Sequence, residues 1–193
     1  MIERENRHMT FQLSALEWGA GPKVLEVFLE PTCPFSVKTL RKIPDLLQLA
    51  GQDRLTVRVR LQSQPWHMFS GVIVRAILAA SSLDEGRDAA LAVMMAVADH
   101  REEFEFTDHC RGPNMDATPA DILRRIEVYS GVPLTETFVR PEVTAAVKWH
   151  ARYGRQNGIH VSPTFMVDGL IDPAFSSGDT VDEWGVKLFP VKG

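Results

Sequence analysis

Two β-like runs flank one amphipathic helix near the start of this chain, and that order limits its folds most. Lys23-Val24-Leu25-Glu26-Val27-Phe28-Leu29-Glu30 is dense in β-branched and aromatic residues, which suits a buried central strand. Pro31 and Pro34 end it. Pro34 also suits the first position of a following helix, where a missing N–H costs nothing. Val37, Leu40, Ile43 and Leu47 then recur at helical spacing, Pro44 predicts a kink, and Gly51 closes the helix. Leu55-Thr56-Val57-Arg58-Val59-Arg60-Leu61 alternates apolar and polar residues, as a half-buried strand does. Strand, helix, strand in this order predicts a βαβ unit with a parallel pair. Upstream, Thr10-Phe11-Gln12-Leu13 reads as a short strand and Gly19-Ala20-Gly21-Pro22 as a turn.

From about Trp66 to Arg155 the period becomes helical, through Val72, Ile77, Leu91, Met94, Ile122, Ile126 and the helix starts Thr118-Pro119 and Pro141-Glu142. Strand character returns over Ile159–Val167, broken by Pro163. Asp168-Gly169 is a hairpin signal, and Asp179–Leu188 reads as a closing helix. The expected fold class is α/β, split by an all-helical insertion. The parts are 1–66, 67–155 and 156–193, the outer two forming one α/β unit.

At 193 residues the chain can bury roughly 70% of its unfolded surface, so its core needs neither disulfide nor metal. The net charge of −4, with no basic run, gives no support for nucleic-acid binding. Two cysteines exclude a disulfide-rich scaffold. The first eight residues lack the apolar stretch of a secretory signal, and Leu91–Ala98 is too short to cross a bilayer. These points lead to the expectation of a soluble, cytoplasmic protein in a reducing compartment.

Chemistry concentrates at Glu30-Pro31-Thr32-Cys33-Pro34-Phe35-Ser36, where a buried strand meets a helix N-terminus. Unpaired backbone N–H groups and the helix dipole favour an anion there. An ordinary thiol is only about 3% ionised at pH 7, and the thiolate is the nucleophile, so such a placement matters. Ser36 is placed to donate a hydrogen bond to the sulfur, whereas an ionised Glu30 would oppose the thiolate. Gly19-Ala20-Gly21 lacks the rest of a dinucleotide fingerprint. His100, His109 and Cys110 fit no common metal-ligand spacing, so no metal is expected.

With these residues in view, the chain resembles the DsbA-type members of the thioredoxin-like superfamily. Glu30-x-x-Cys33-Pro34-Phe35-Ser36 resembles the family's acidic-x-x-Cys-Pro-x-Cys. Gly158-Ile159-His160-Val161-Ser162-Pro163-Thr164-Phe165-Met166-Val167-Asp168-Gly169 is similar to its cis-proline strand and turn, and the helical block matches its insertion. The resemblance implies a thioredoxin-like fold and a cis Ser162-Pro163 bond beside a nucleophilic Cys33. It also implies a substrate site formed by Pro34, Phe35, Val161, Ser162 and Pro163, with the backbone before Pro163 pairing with a substrate strand. Trp66, His67, Met68 and Phe69 fit packing at the insertion boundary or the lining of that groove.

The chain departs from the family at Ser36, where the second, resolving cysteine is missing. A mixed disulfide on Cys33 then needs another resolver. An external thiol such as glutathione would serve as co-substrate, or Cys110 would fold over the site. The expected activity is monothiol disulfide exchange or isomerisation on a protein or glutathione disulfide, without a bound cofactor, by a monomer or homodimer. Two alternatives stay open. One is a glutathione-dependent transferase or isomerase of the kappa or hydroxychromene-carboxylate type, using Ser36. The other is a non-catalytic binding module of the same fold.

Overall fold

The computed structural model describes residues 16–106, 111–112 and 114–190. A five-stranded sheet is built from β1 (Glu17–Gly19), β2 (Lys23–Leu29), β3 (Leu55–Leu61), β4 (Thr164–Val167) and β5 (Leu170–Ile171), in the order β1-β3-β2-β4-β5. The β2–β3 pair is parallel, and α1 (Pro34–Ala50) makes the crossover between them, as the βαβ reading anticipates. β4 runs antiparallel to β2, with Val27 opposite Phe165 and Phe28 opposite Thr164.

Register decides which side chains go inward. Leu25, Val27 and Leu29 pair with Val57, Val59 and Leu61, and all six lie in the main core. α1 adds Leu40, Ile43, Leu46 and Leu47 to that core, and runs through Pro44 without ending there. The alternate positions of β2, Glu26 and Phe28, meet α6 (Pro141–Gln156). Phe28 stacks on Tyr153 at 5.9 Å, and the Tyr153 hydroxyl donates to Glu26 at 2.9 Å. Arg60 donates to Glu26 at 2.5 Å and lies 5.0 Å from the Trp149 ring, so this buried carboxylate has a paired cation.

Between β3 and β4 come α2 (Ser70–Ala80), α3 (Arg87–Asp99), a 3-10 turn at Arg101–Phe104, α4 (Pro119–Ser130), α5 (Thr135–Phe138) and α6. The apolar run Leu91–Ala98 is part of α3, and no helix among the described residues is long and apolar enough to cross a membrane. Thr118 and Thr180 each close a capping box, with Asp121 and Glu183, at the starts of α4 and of α7 (Val181–Leu188).

The structure adds one short strand and changes two local expectations. The first described strand is Glu17–Gly19, an edge strand too short to show a pattern, and Thr10–Leu13 lies outside the described residues. Gly21 is required by packing rather than by turn shape, because a Cβ there would sit 1.8 Å from the Arg54 carbonyl carbon. The strand expected from Ile159 begins only at Thr164, since Pro163 has no N–H to give a ladder.

His150, on α6, is buried and its Nδ1 accepts from the Leu61 N–H at 3.0 Å. Burial, with a smaller effect of the Arg60 charge, lowers its pKa from 6.5 to about 4. A group depressed in this way favours the fold above its unfolded pKa and loses that contribution as pH falls. Between pH 6.5 and 4, His150 is expected to cost roughly 3 kcal/mol of stability. Urea denaturation of the native protein and His150→Gln across this range tests it, since the glutamine oxygen keeps the Leu61 bond but does not titrate. Parallel curves for the two proteins would refute the assignment.

Candidate active site at the N-terminus of α1

Cys33 is the N-cap of α1, with φ −65° and ψ 124°, and Pro34 is the first helical residue. The cysteine is free and 6% exposed. Its Sγ lies 3.6 Å from the carbonyl oxygen of Ser162 and donates to it. The Ser162–Pro163 bond is cis. Two segments separated by more than a hundred residues thus meet at one sulfur because β4 pairs with β2. Pro34, Phe35 and Val161 are exposed around the buried thiol, and Ser162 and Pro163 are half-buried. Trp66 and Met68 are also exposed, whereas Phe69 enters the core.

Ser36 does not play the part expected from spacing. Its side chain is buried, and its Oγ accepts the Glu30 backbone N–H at 3.2 Å. The first turn of α1 carries the hydroxyl back to the end of β2, and the sulfur's hydrogen bond goes to Ser162 instead. Cys110 lies outside the described residues, as does His109.

Glu30 is fully buried below the Cys33 turn. Its Oε2 accepts from the Thr32 N–H and the Thr32 hydroxyl, both at 2.9 Å, while Oε1 is within hydrogen-bond geometry of no group among the described residues. Burial holds this carboxyl above the usual carboxylate range, offset in part by the Ser70 hydroxyl, the His67 charge and Thr32. Such a group favours the fold below its unfolded pKa and loses that contribution as pH rises, opposite in sign to His150. His67 Nδ1 lies 3.0 Å from the Thr32 hydroxyl, 3.0 Å from Glu105 Oε1 and 3.6 Å from Glu30 Oε2. Arg101 pairs with Glu105. The Cys33 turn is therefore tied through Thr32 to the segment after β3.

Sequence reasoning named His67 in that segment but missed Gln64. Gln64 is 6% exposed, and its amide meets both the His160 carbonyl and the Ser162 hydroxyl. A usable signal was present. β3 runs parallel to β2, so residues just past Leu61 must emerge at the same sheet end as Cys33.

Neither a family model nor a curated protein matches the chain. Solved structures do. A crystal structure described as a candidate protein-disulfide isomerase from Pseudomonas syringae is 65% identical, with a TM-score of 0.89, over 90% of this chain and 97% of that one. The thiol-disulfide exchange protein α-DsbA2 of Wolbachia pipientis shares 14% identity, with a TM-score of 0.66, over 92% of this chain and 87% of that one. BdbD from Bacillus subtilis shares 14% identity, with a TM-score of 0.63, over 90% and 92%. The last two show the fold alone.

These matches overturn the cytoplasmic expectation, because the neighbours are DsbA-type proteins, which are periplasmic in bacteria. The composition argument failed for a physical reason. Few cysteines exclude a disulfide-built scaffold, but an exchange catalyst needs only its reactive thiol, whatever the redox state around it.

Proposed function

The chain belongs to the thioredoxin-like family of DsbA and disulfide-isomerase proteins, and we propose that it acts there as a monothiol exchange enzyme on protein disulfides, with Cys33 as nucleophile. The observation that carries this reading is a free thiol at the N-cap of α1, facing the Ser162 carbonyl just before Pro163. The Cys33 thiol first gives its proton to solvent. Its thiolate then attacks one sulfur of the substrate disulfide, forming a Cys33–substrate disulfide and expelling the other substrate sulfur as a thiolate. A second substrate thiolate attacks the substrate sulfur of that intermediate, which gives a rearranged substrate disulfide and frees Cys33 with no net redox change. Glutathione thiolate attacking the same sulfur frees Cys33 too, leaving glutathionylated substrate.

In this reading the backbone of Val161 and Ser162 aligns an extended substrate segment, and exposed Pro34 and Phe35 flank it. The chemistry requires no bound cofactor. Ser36 supports the turn through Glu30 rather than the thiolate directly. That same contact disfavours the kappa or chromene-carboxylate alternative, since a serine buried against Glu30 is poorly placed to hold a glutathione thiol.

Brief exposure to oxidised glutathione at neutral pH, followed by intact mass and peptide mapping, tests the proposal. A single adduct on Cys33, reversed by reduced glutathione, is the expected result. A Cys33 that stays unmodified in the folded protein yet reacts in urea would sink it.

A further inference from the structure

We propose that Gln64 is a positioning residue for Cys33, acting through Ser162; this rests on the exchange reading of Cys33. β3 ends at Leu61, and the chain past it lies beside residues 159–162. Side-chain amides join the two segments. The Gln62 amide donates to the Ile159 carbonyl at 3.4 Å, and the Gln64 amide donates to the His160 carbonyl at 3.5 Å. The Ser162 hydroxyl donates to Gln64 Oε1 at 2.9 Å. The Gln64 backbone N–H is itself held by the Ser70 hydroxyl, at 3.2 Å, at the start of α2.

The residue type fits this task. A neutral amide carries a donor and an acceptor on one tip, so it serves a carbonyl and a hydroxyl together. A carboxylate has no proton for the His160 carbonyl, and an apolar side chain would leave the Ser162 hydroxyl unpaired. Ser162 is thereby fixed twice, by its hydroxyl on Gln64 and by its carbonyl under the Cys33 thiol. That carbonyl attracts the S–H group and repels the sulfur once the proton has left. Gln64 thus governs how firmly an acceptor is pressed on the nucleophile before a substrate arrives.

Gln64→Leu and Ser162→Ala each break the 2.9 Å bond from one side, and Ser162→Ala keeps the backbone carbonyl. The measurement is the rate of Cys33 alkylation by iodoacetamide in folded protein, across pH, for both variants and their double. The titratable or charged groups nearest in sequence to Cys33 and Ser162, or tied to the Cys33 turn through Thr32, are Glu30, Lys38, His67, Arg101, Glu105 and His160. All of them are unchanged in the variants. Each single variant is expected to react roughly threefold faster at pH 7, with the midpoint of the profile moved to lower pH. The double variant should match Gln64→Leu, because Ser162→Ala removes only a bond that Gln64→Leu has already broken. Rates equal to native in both singles, or effects that add in the double, overturn the proposal. Should Gln64→Leu not fold, Ser162→Ala alone still decides, since an unchanged profile there removes the link. Alkylation needs no disulfide substrate, so this outcome is separate from failure of the exchange reading, which the glutathione adduct reports.

Discussion

Cys33→Ser is expected to reduce disulfide exchange to the uncatalysed background, a loss on the order of 10³-fold or more. A hydroxyl at this N-cap cannot ionise near neutral pH, and an alkoxide has no exchange chemistry with a disulfide. The fold should survive. Serine is close in size, is a favoured N-cap residue, and its hydroxyl can still donate to the Ser162 carbonyl that now faces the sulfur at 3.6 Å. Stability by urea denaturation should therefore stay within about 1 kcal/mol of native while exchange with a dye-labelled disulfide peptide is lost. That split separates a chemical role from a packing role. If the variant kept its exchange rate, the reactive sulfur would be Cys110, the other cysteine of the chain.

The central layout was legible because periodicity reports burial, and burial is what the sheet register enforces. Val27 and Val59 pair across β2 and β3 in the core, as their alternation predicts, and the helix between them is the one that Val37, Leu40 and Ile43 outline. The position of Cys33 at the end of β2 was legible for the same reason. Less visible were contacts set by chain crossing rather than by local pattern. Ser36 looked like a partner for the sulfur because it is one helical turn away, yet a first-turn hydroxyl turned inward finds the orphaned Glu30 amide first. Gln64 carries no local signal, and the tie of His67 to Thr32 and Glu30 carries none either. They matter only because β2 and β3 are parallel, so that the exits of both strands open at the same end of the sheet. Compartment was misread because composition speaks to what holds a fold together, not to where its chemistry is used.

Ser36→Cys should convert the monothiol site into one that resolves its own mixed disulfide. Position 36 is three residues past Cys33, on the first turn of α1, so a thiol there stays within a few ångströms of the nucleophile without any domain movement. Attack on the Cys33 sulfur then becomes intramolecular, and even a modest effective concentration outcompetes micromolar external thiol. The lifetime of the Cys33–substrate disulfide is expected to fall by about 100-fold, and the need for added glutathione to disappear. Intact mass should show the folded protein losing two hydrogens on mild oxidation, with both sulfurs protected from alkylation. There is a cost at the other end of the side chain. The native hydroxyl accepts the buried Glu30 N–H at 3.2 Å, and forming the new bond requires the residue to turn away from that amide toward Cys33. The oxidised variant should therefore be less stable than the reduced one, by about 1 kcal/mol in urea denaturation, which would make the new disulfide an oxidising one. A variant whose two thiols both react in urea but never pair in the folded state would show that the inward rotamer at position 36 is locked. The site would then be monothiol by packing as well as by sequence.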